Sequence, residues 1–184
     1  MPLSPAQPRA LSHIRNVSYQ GFQRDDGLWD IEGHLRDTKT AVFVIPDENT
    51  WQPNEPIHDM QIRLTVDDDL VVHAIEVALN SLPHGECPQA APPMQKMVGV
   101  SMARGWRKAI DLHLGNEKGC SHLRELLFNM ATAAFQTIQS SFATKDANQP
   151  PPHLGRCMAW GFNSPLVERR YPMFFQWPDK QSKP

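Results

Sequence analysis

The chain has 184 residues, 40% of them apolar and 21% charged, with a formal net charge of -2. That length suits one ordinary domain, and the charge offers nucleic acid no general attraction, which excludes it as an expected partner. No apolar run approaches the roughly 20 residues that span a bilayer, and the segment Met1-Pro2-Leu3-Ser4-Pro5 lacks the basic and apolar regions of a secretory signal. A cytoplasmic protein without a membrane partner is therefore expected. Its three cysteines point in a reducing compartment to thiol or metal chemistry rather than to a structural disulfide.

One globular domain is expected over 13–177, with flexible tails at 1–12 and 178–184, where proline and polar residues replace periodicity. Two strands alternate over 17–22 and 28–38, and Arg24-Asp25-Asp26-Gly27 supplies the turn of a hairpin. In the second strand Trp29, Ile31, Gly33 and Leu35 share one face, while Asp30, Glu32, His34 and Arg36 share the other. A short strand at 41–45 precedes a proline-rich loop over 46–56, which contains Trp51 and is expected to border a pocket. Alternation resumes over 57–66, with Met60, Ile62, Leu64 and Val66 inward. Asp67-Asp68-Asp69 then turns the chain into an apolar run over 70–79. The three aspartates lack the spacing of a calcium loop, so turn chemistry explains them better.

The segment Pro83-His84-Gly85-Glu86-Cys87-Pro88 breaks regular structure and gathers a histidine, a carboxylate and a thiol. A helix is expected within 94–114, where Arg104 and Arg107 on its exposed side are candidate anion contacts. The dominant apolar periodicity opens at Gly119-Cys120-Ser121-His122: Leu123, Leu126, Leu127, Met130, Ala134 and Ile138 recur at helical spacing, continuing to Ser141-Phe142. This predicts a helix from Ser121 to about Thr144, with Cys120 at its N-terminus, where unpaired N–H groups and the helix dipole favour an anion or thiolate. After Pro150-Pro151-Pro152 comes an aromatic concentration that includes Trp160, Tyr171, Phe174, Phe175 and Trp177. These rings cover the open side of the core, wall an apolar ligand site or form a homodimer contact, and core cover is the simplest assignment.

The runs Arg24 to Asp30, Ile57-His58-Asp59-Met60 and Gly119 to Leu123 resemble the recurring motifs of a bacterial family of proteins of unknown function, domain family 2889. That resemblance spans nearly the whole chain and implies a bacterial cytoplasmic protein. A weaker likeness, over about 59–140, is to the iron–sulfur scaffold and sulfur-acceptor proteins of the NifU and SufE fold. It implies an α+β architecture in which an antiparallel sheet from N-terminal hairpins packs on a long helix in the C-terminal half, with Cys87 and Cys120 on the same side of the core. The pattern departs from the scaffolds in having no third cysteine between those two and in placing Gly119 before the helix cysteine.

Two functional classes follow. The favoured one is a small-molecule enzyme, an acid–base or metal-assisted lyase, isomerase or hydrolase acting on an aromatic or acyl catabolite; neither a dinucleotide-binding nor a P-loop glycine motif occurs. Its candidate catalytic residues are His122, Cys120, His34, Glu32, Asp30, His58 and Asp59, because histidine moves protons near neutral pH and a neighbouring carboxylate fixes its tautomer. Trp51, Arg104, Arg107 and Trp160 are candidate substrate contacts. A substrate is expected between the Glu32–His34 strand face and the Cys120–His122 helix start. If a zinc or iron ion is present, Cys87 and Cys120 with His122 and His84 are its candidate ligands. The other class is a noncatalytic metal, iron–sulfur or sulfur carrier.

Overall fold

A computed structural model describes residues 2–138 and 146–177. The protein is a mixed α+β structure, and it divides into two compact units, the first ending at Thr137 and the second beginning at Ile138. The span expected as one domain, 13–177, thus contains two clusters of contacts. The expected helix end near Thr144 and the tail from Pro178 lie outside the described residues.

Four antiparallel strands form the main sheet of the first unit: β1 (His13–Gln23), β2 (Trp29–Lys39), β5 (Pro56–Val66) and β6 (Val72–Ser81), side by side in that order. The first hairpin closes where expected. Asp26 accepts the N–H of Leu28 at 3.2 Å, and Gly27 adopts a φ of 85° that glycine reaches without steric cost. The aspartate run also behaves as a turn. The Asp67 carboxylate accepts the N–H groups of Asp69 at 3.0 Å and Val71 at 2.9 Å.

Two elements differ from the sequence expectation. The proline-rich loop contains a strand, β4 (Asn49–Trp51), which pairs with β3 (Phe43–Ile45) as a separate two-stranded ribbon. The helix expected within 94–114 is broken. A 3-10 helix covers Pro92–Met97 and α1 covers only Trp106–Leu114, because Gly99 and Gly105 take φ values of 83° and 72°. The chain between them pairs with the start of β6: the Gly99 N–H donates to the Val72 carbonyl at 2.7 Å and the Met102 N–H to the Leu70 carbonyl at 2.8 Å.

The helix α2 (Ser121–Thr137) buries the expected stripe, Leu123, Leu126, Leu127, Met130 and Ala134. It meets β1, β2 and β5, and Ile31, Leu35, Met60, Ile62 and Leu64 of β2 and β5 are buried. Gly33 permits the close approach, since a Cβ there would stand 3.2 Å from Met130 Sδ. Trp106 fixes α1 to α2 by donating its indole N–H to the Leu127 carbonyl at 2.7 Å. In the second unit α3 (Pro165–Arg170) is capped by Ser164, and Leu154, Val167 and Phe174 pack with Trp160, Phe162, Tyr171 and Trp177 into a small core. Among the described residues no helix is long and apolar enough to cross a membrane.

Candidate functional site

Antiparallel register lays three ionisable residues in one row across the sheet. Arg15 on β1 faces Asp37 on β2, which faces His58 on β5. By the period of two, Asp37 continues the face of Ile31, Gly33 and Leu35, and His58 continues that of Met60 and Ile62. At this end of the sheet the apolar face therefore becomes polar, and the first turn of α2 brings His122 onto it.

Asp37 is the hub, with its side chain only 4% exposed. Arg15 grips it with two hydrogen bonds, Nε to Oδ1 at 2.8 Å and Nη2 to Oδ2 at 2.7 Å, the bidentate geometry that suits guanidinium and carboxylate. Arg15 also reaches Glu125 on α2 at 2.7 Å, which ties helix to sheet. His13 Nε2 lies 3.2 Å from Oδ1, His58 Nδ1 3.1 Å from Oδ2 and His122 Nε2 3.8 Å from Oδ2. The rings of His58 and His122 have centroids 4.0 Å apart, and the other nitrogen of His122, Nδ1, is 3.7 Å from Cys120 Sγ.

Burial pushes the Asp37 carboxyl up, but the Arg15 hydrogen bonds and charge, with His58 and His13, outweigh it and hold the group below its usual range. Asp37 is thus a carboxylate at neutral pH. His58 is shifted down, first by burial and then by His122, against the opposing pull of Asp37, so it is neutral at pH 7. A neutral ring beside a carboxylate carries its proton on the facing nitrogen, which assigns Nδ1–H to the Asp37 bond and leaves Nε2 as the basic lone pair.

The shift makes stability depend on pH. Between the folded value and the ordinary value near 6.5 the unfolded chain binds a proton at His58 that the folded chain does not, so stability falls as pH drops through that window. Asp37, held below its ordinary value, loses its contribution only in stronger acid. The urea midpoint of the first unit is expected to fall from pH 7.5 to pH 5.5, and to fall less in His58→Gln; parallel changes in both proteins would remove this origin.

These groups open onto a cleft of about 940 Å³. One part of its wall is apolar, with Phe43, Ile45, Ile57, Met60 and Pro83; the remainder includes His13, Arg15, Lys39, Lys118 and Glu117 besides the cluster. Such a mixture suits a ligand with an apolar body and a polar reacting end.

Among the sequence candidates, the structure brings His58, His122 and Cys120 together, with Asp37 and Arg15 added. The arrangement expected between Glu32–His34 and Cys120–His122 is corrected. Asp30, Glu32 and His34 project from the opposite sheet face by strand alternation, where His34 pairs with Asp59 at 3.0 Å, Glu32 with Arg63 at 2.7 Å and Asp30 with Thr65 at 2.7 Å. Glu32 and His34 line a separate cleft of about 220 Å³. The substrate contacts are corrected as well. Trp51 is buried against Phe43, with ring centroids 5.8 Å apart, Arg104 is exposed, and Arg107 stacks over Phe128 at 5.1 Å. None of the three lines the large cleft. Trp160 packs within the second unit against His153 and Tyr171.

Cys87, Cys120, His84 and His122 all line the large cleft, but they do not form the expected metal set. His84 is bound to Glu48 at 3.0 Å. Among the described residues, the ligand atoms that gather within 4.8 Å of one another belong to Asp37, His58 and His122. This two-histidine, one-carboxylate set is of the kind that holds zinc or iron. Against it stands Arg15, whose guanidinium occupies both Asp37 oxygens and opposes a second cation there.

Sequence reasoning missed Asp37 and Arg15. The available signal was Asp37 two residues beyond Leu35 and His58 two residues before Met60, each an ionisable residue in phase with an apolar strand face. Comparison with the curated proteins and with the solved structures returns no match. A family model does match residues 13–136, which carry the sheet, α1 and nearly all of α2 with every member of the cluster, and the chain belongs to that family, the proteins of unknown function DUF2889.

Proposed function

We propose that this protein is a small-molecule enzyme that works by acid–base catalysis in the large cleft. One observation carries the proposal: a buried carboxylate, Asp37, bonded to His58 at 3.1 Å beside a second histidine whose ring lies 4.0 Å away, at an open cleft. His58 Nε2 is the general base, and His122 takes or returns the second proton. The apolar wall of Phe43, Ile45 and Ile57 suits an aromatic or acyl compound, and proton transfer at its polar end suits a lyase, isomerase or hydrolase. His58→Ala, and separately His122→Ala, is expected to lower turnover by roughly 100- to 10,000-fold. The assay is a screen of aromatic and acyl compounds, with the urea midpoint of each variant as control. Full activity in both variants would end the proposal.

A second reading is a metal or sulfur carrier with a NifU- or SufE-like core. It is favoured by the cleft that Cys87 and Cys120 share with the Asp37, His58 and His122 ligand set. Metal and sulfide analysis of protein purified without an affinity tag separates the two. One metal ion per chain, lost in His58→Ala, would favour the carrier or a metal-assisted enzyme; substoichiometric metal in active protein would favour acid–base chemistry.

A further inference from the structure

Cys120 is the N-cap of α2, its carbonyl accepting the N–H of Arg124 at 3.1 Å. Its sulfur is 3.7 Å from His122 Nδ1, while Nε2 of the same ring is 3.8 Å from Asp37 Oδ2. Thiol, imidazole and carboxylate therefore stand in sequence, with the imidazole between the other two, and Cys120 lines the cleft. This is the order of nucleophile, base and orienting acid that activates a weak nucleophile, and it is recognised by geometry rather than by position in a sequence.

We propose that Cys120, His122 and Asp37 form a nucleophilic triad that takes the acyl group of an activated acyl compound, a thioester or aryl ester, onto the Cys120 sulfur. The proposal rests on the acid–base reading of the same site and narrows it to acyl transfer. His122 Nδ1 takes the thiol proton, and the imidazolium so formed faces the Asp37 carboxylate, 3.8 Å from its Nε2. The thiolate forms a bond to the carbonyl carbon and the carbonyl π pair moves to oxygen. As that pair returns, the bond to the leaving thiol or phenol breaks, and the leaving group takes the proton from His122. The enzyme then holds a thioester on Cys120. Water adds to this thioester as His58 Nε2 takes its proton, the carbon–sulfur bond breaks, and that proton goes to the departing thiolate. The net change is an ester or thioester plus water to a carboxylic acid plus a phenol or thiol, with no redox step.

The surroundings of the sulfur support this assignment. The His122 ring and the N–H groups of Leu123 and His122 face the Cys120 sulfur, the setting that favours a thiolate at a helix N-terminus. Besides the triad and His58, the charged and titratable groups of the cleft are Arg15 and His13, both on Asp37, with Lys39, Glu117 and Lys118. His84, Glu86 and Cys87 line the same cleft from the segment after β6. Cys157 is exposed in the second unit and provides an internal reference.

The test needs no known substrate. The full chain is alkylated with iodoacetamide at pH 7, and the Cys87, Cys120 and Cys157 peptides are followed separately by mass spectrometry. A second sample is mixed with p-nitrophenyl acetate and quenched in acid. At pH 7 Cys120 is expected to react on the order of tenfold faster than Cys157. The advantage should disappear in His122→Ala and in His122→Gln, and an acetyl mass should appear on the Cys120 peptide with a burst of nitrophenol. Alkylation no faster than at Cys157, or no acetyl group on Cys120, overturns the triad. Should Cys120→Ala retain turnover of a screened substrate that His58→Ala abolishes, the triad falls and the acid–base enzyme stands. Acylation of Cys120 with turnover indifferent to His58→Ala gives the opposite result.

Discussion

Asp37→Asn is expected to reduce turnover by roughly 1,000- to 10,000-fold while leaving KM close to its original value. The carboxylate touches no cleft ligand in this scheme; it acts through His58 and His122. As an acceptor-only group it requires the N–H of His58 at Nδ1, 3.1 Å away, and so keeps Nε2 free to take a proton. An amide of the same shape can turn its NH2 toward that nitrogen, which stabilises the other tautomer and leaves the proton on Nε2. It also removes the charge that stabilises imidazolium in the transition state. A purely structural role for Asp37 would lower the unfolding midpoint without moving the ring proton. The distinguishing measurement is the nitrogen NMR signature of His58, which should change from Nδ1–H to Nε2–H in the variant. Retention of the original tautomer with full turnover would show that Asp37 only holds Arg15 in place.

The largest expected effect on stability is at Leu127. Its side chain is fully buried in the stripe that α2 presents to the sheet, with Leu123, Leu126 and Met130 beside it. Leu127→Ala should cost about 2–5 kcal/mol, combining lost apolar burial with the cavity left behind. The bond from the Trp106 indole goes to the Leu127 backbone carbonyl, which the substitution keeps, so the loss belongs to the side chain. A lower urea midpoint at unchanged slope, followed by the α2 amides, is the predicted result. An unchanged midpoint would place the packing face elsewhere on the helix. Because α2 also carries Cys120, His122 and Glu125 around the cluster, partial loss of its packing should loosen the site before the sheet unfolds.

Several elements are decided by local sequence. Period-two alternation marks most of β2 and β5, Asp26-Gly27 marks the turn between the first two strands, and the spacing of Leu123, Leu126, Leu127 and Met130 marks the buried stripe of α2. Each depends on burial or dihedral preferences within a few residues, so the pattern is visible without knowing what lies across from it. The start of β1 was less legible. His13 to Asn16 carries little apolar alternation because β1 is an edge strand and mostly exposed, and its pairing with β2 comes from backbone hydrogen bonds that need no particular side chains. The broken helix before α1 has a similar origin, since the pairing of residues 99–102 with the start of β6 overrides a helical apolar pattern.

The site itself is a product of register. Arg15, Asp37, His58 and His122 are far apart in the chain and share no motif spacing, yet pairing across three strands aligns the first three, and packing of α2 brings the fourth within 3.8 Å of Asp37. His34 and Glu32 looked equally suited to catalysis in the sequence, but one step of strand alternation sends them to the other face. The sequence by itself determined which residue types were available, which strand faces are apolar and where α2 begins. Only the tertiary structure decided which carboxylate each histidine meets, because that depends on cross-strand partners and helix docking, neither of which is encoded within any single run of residues.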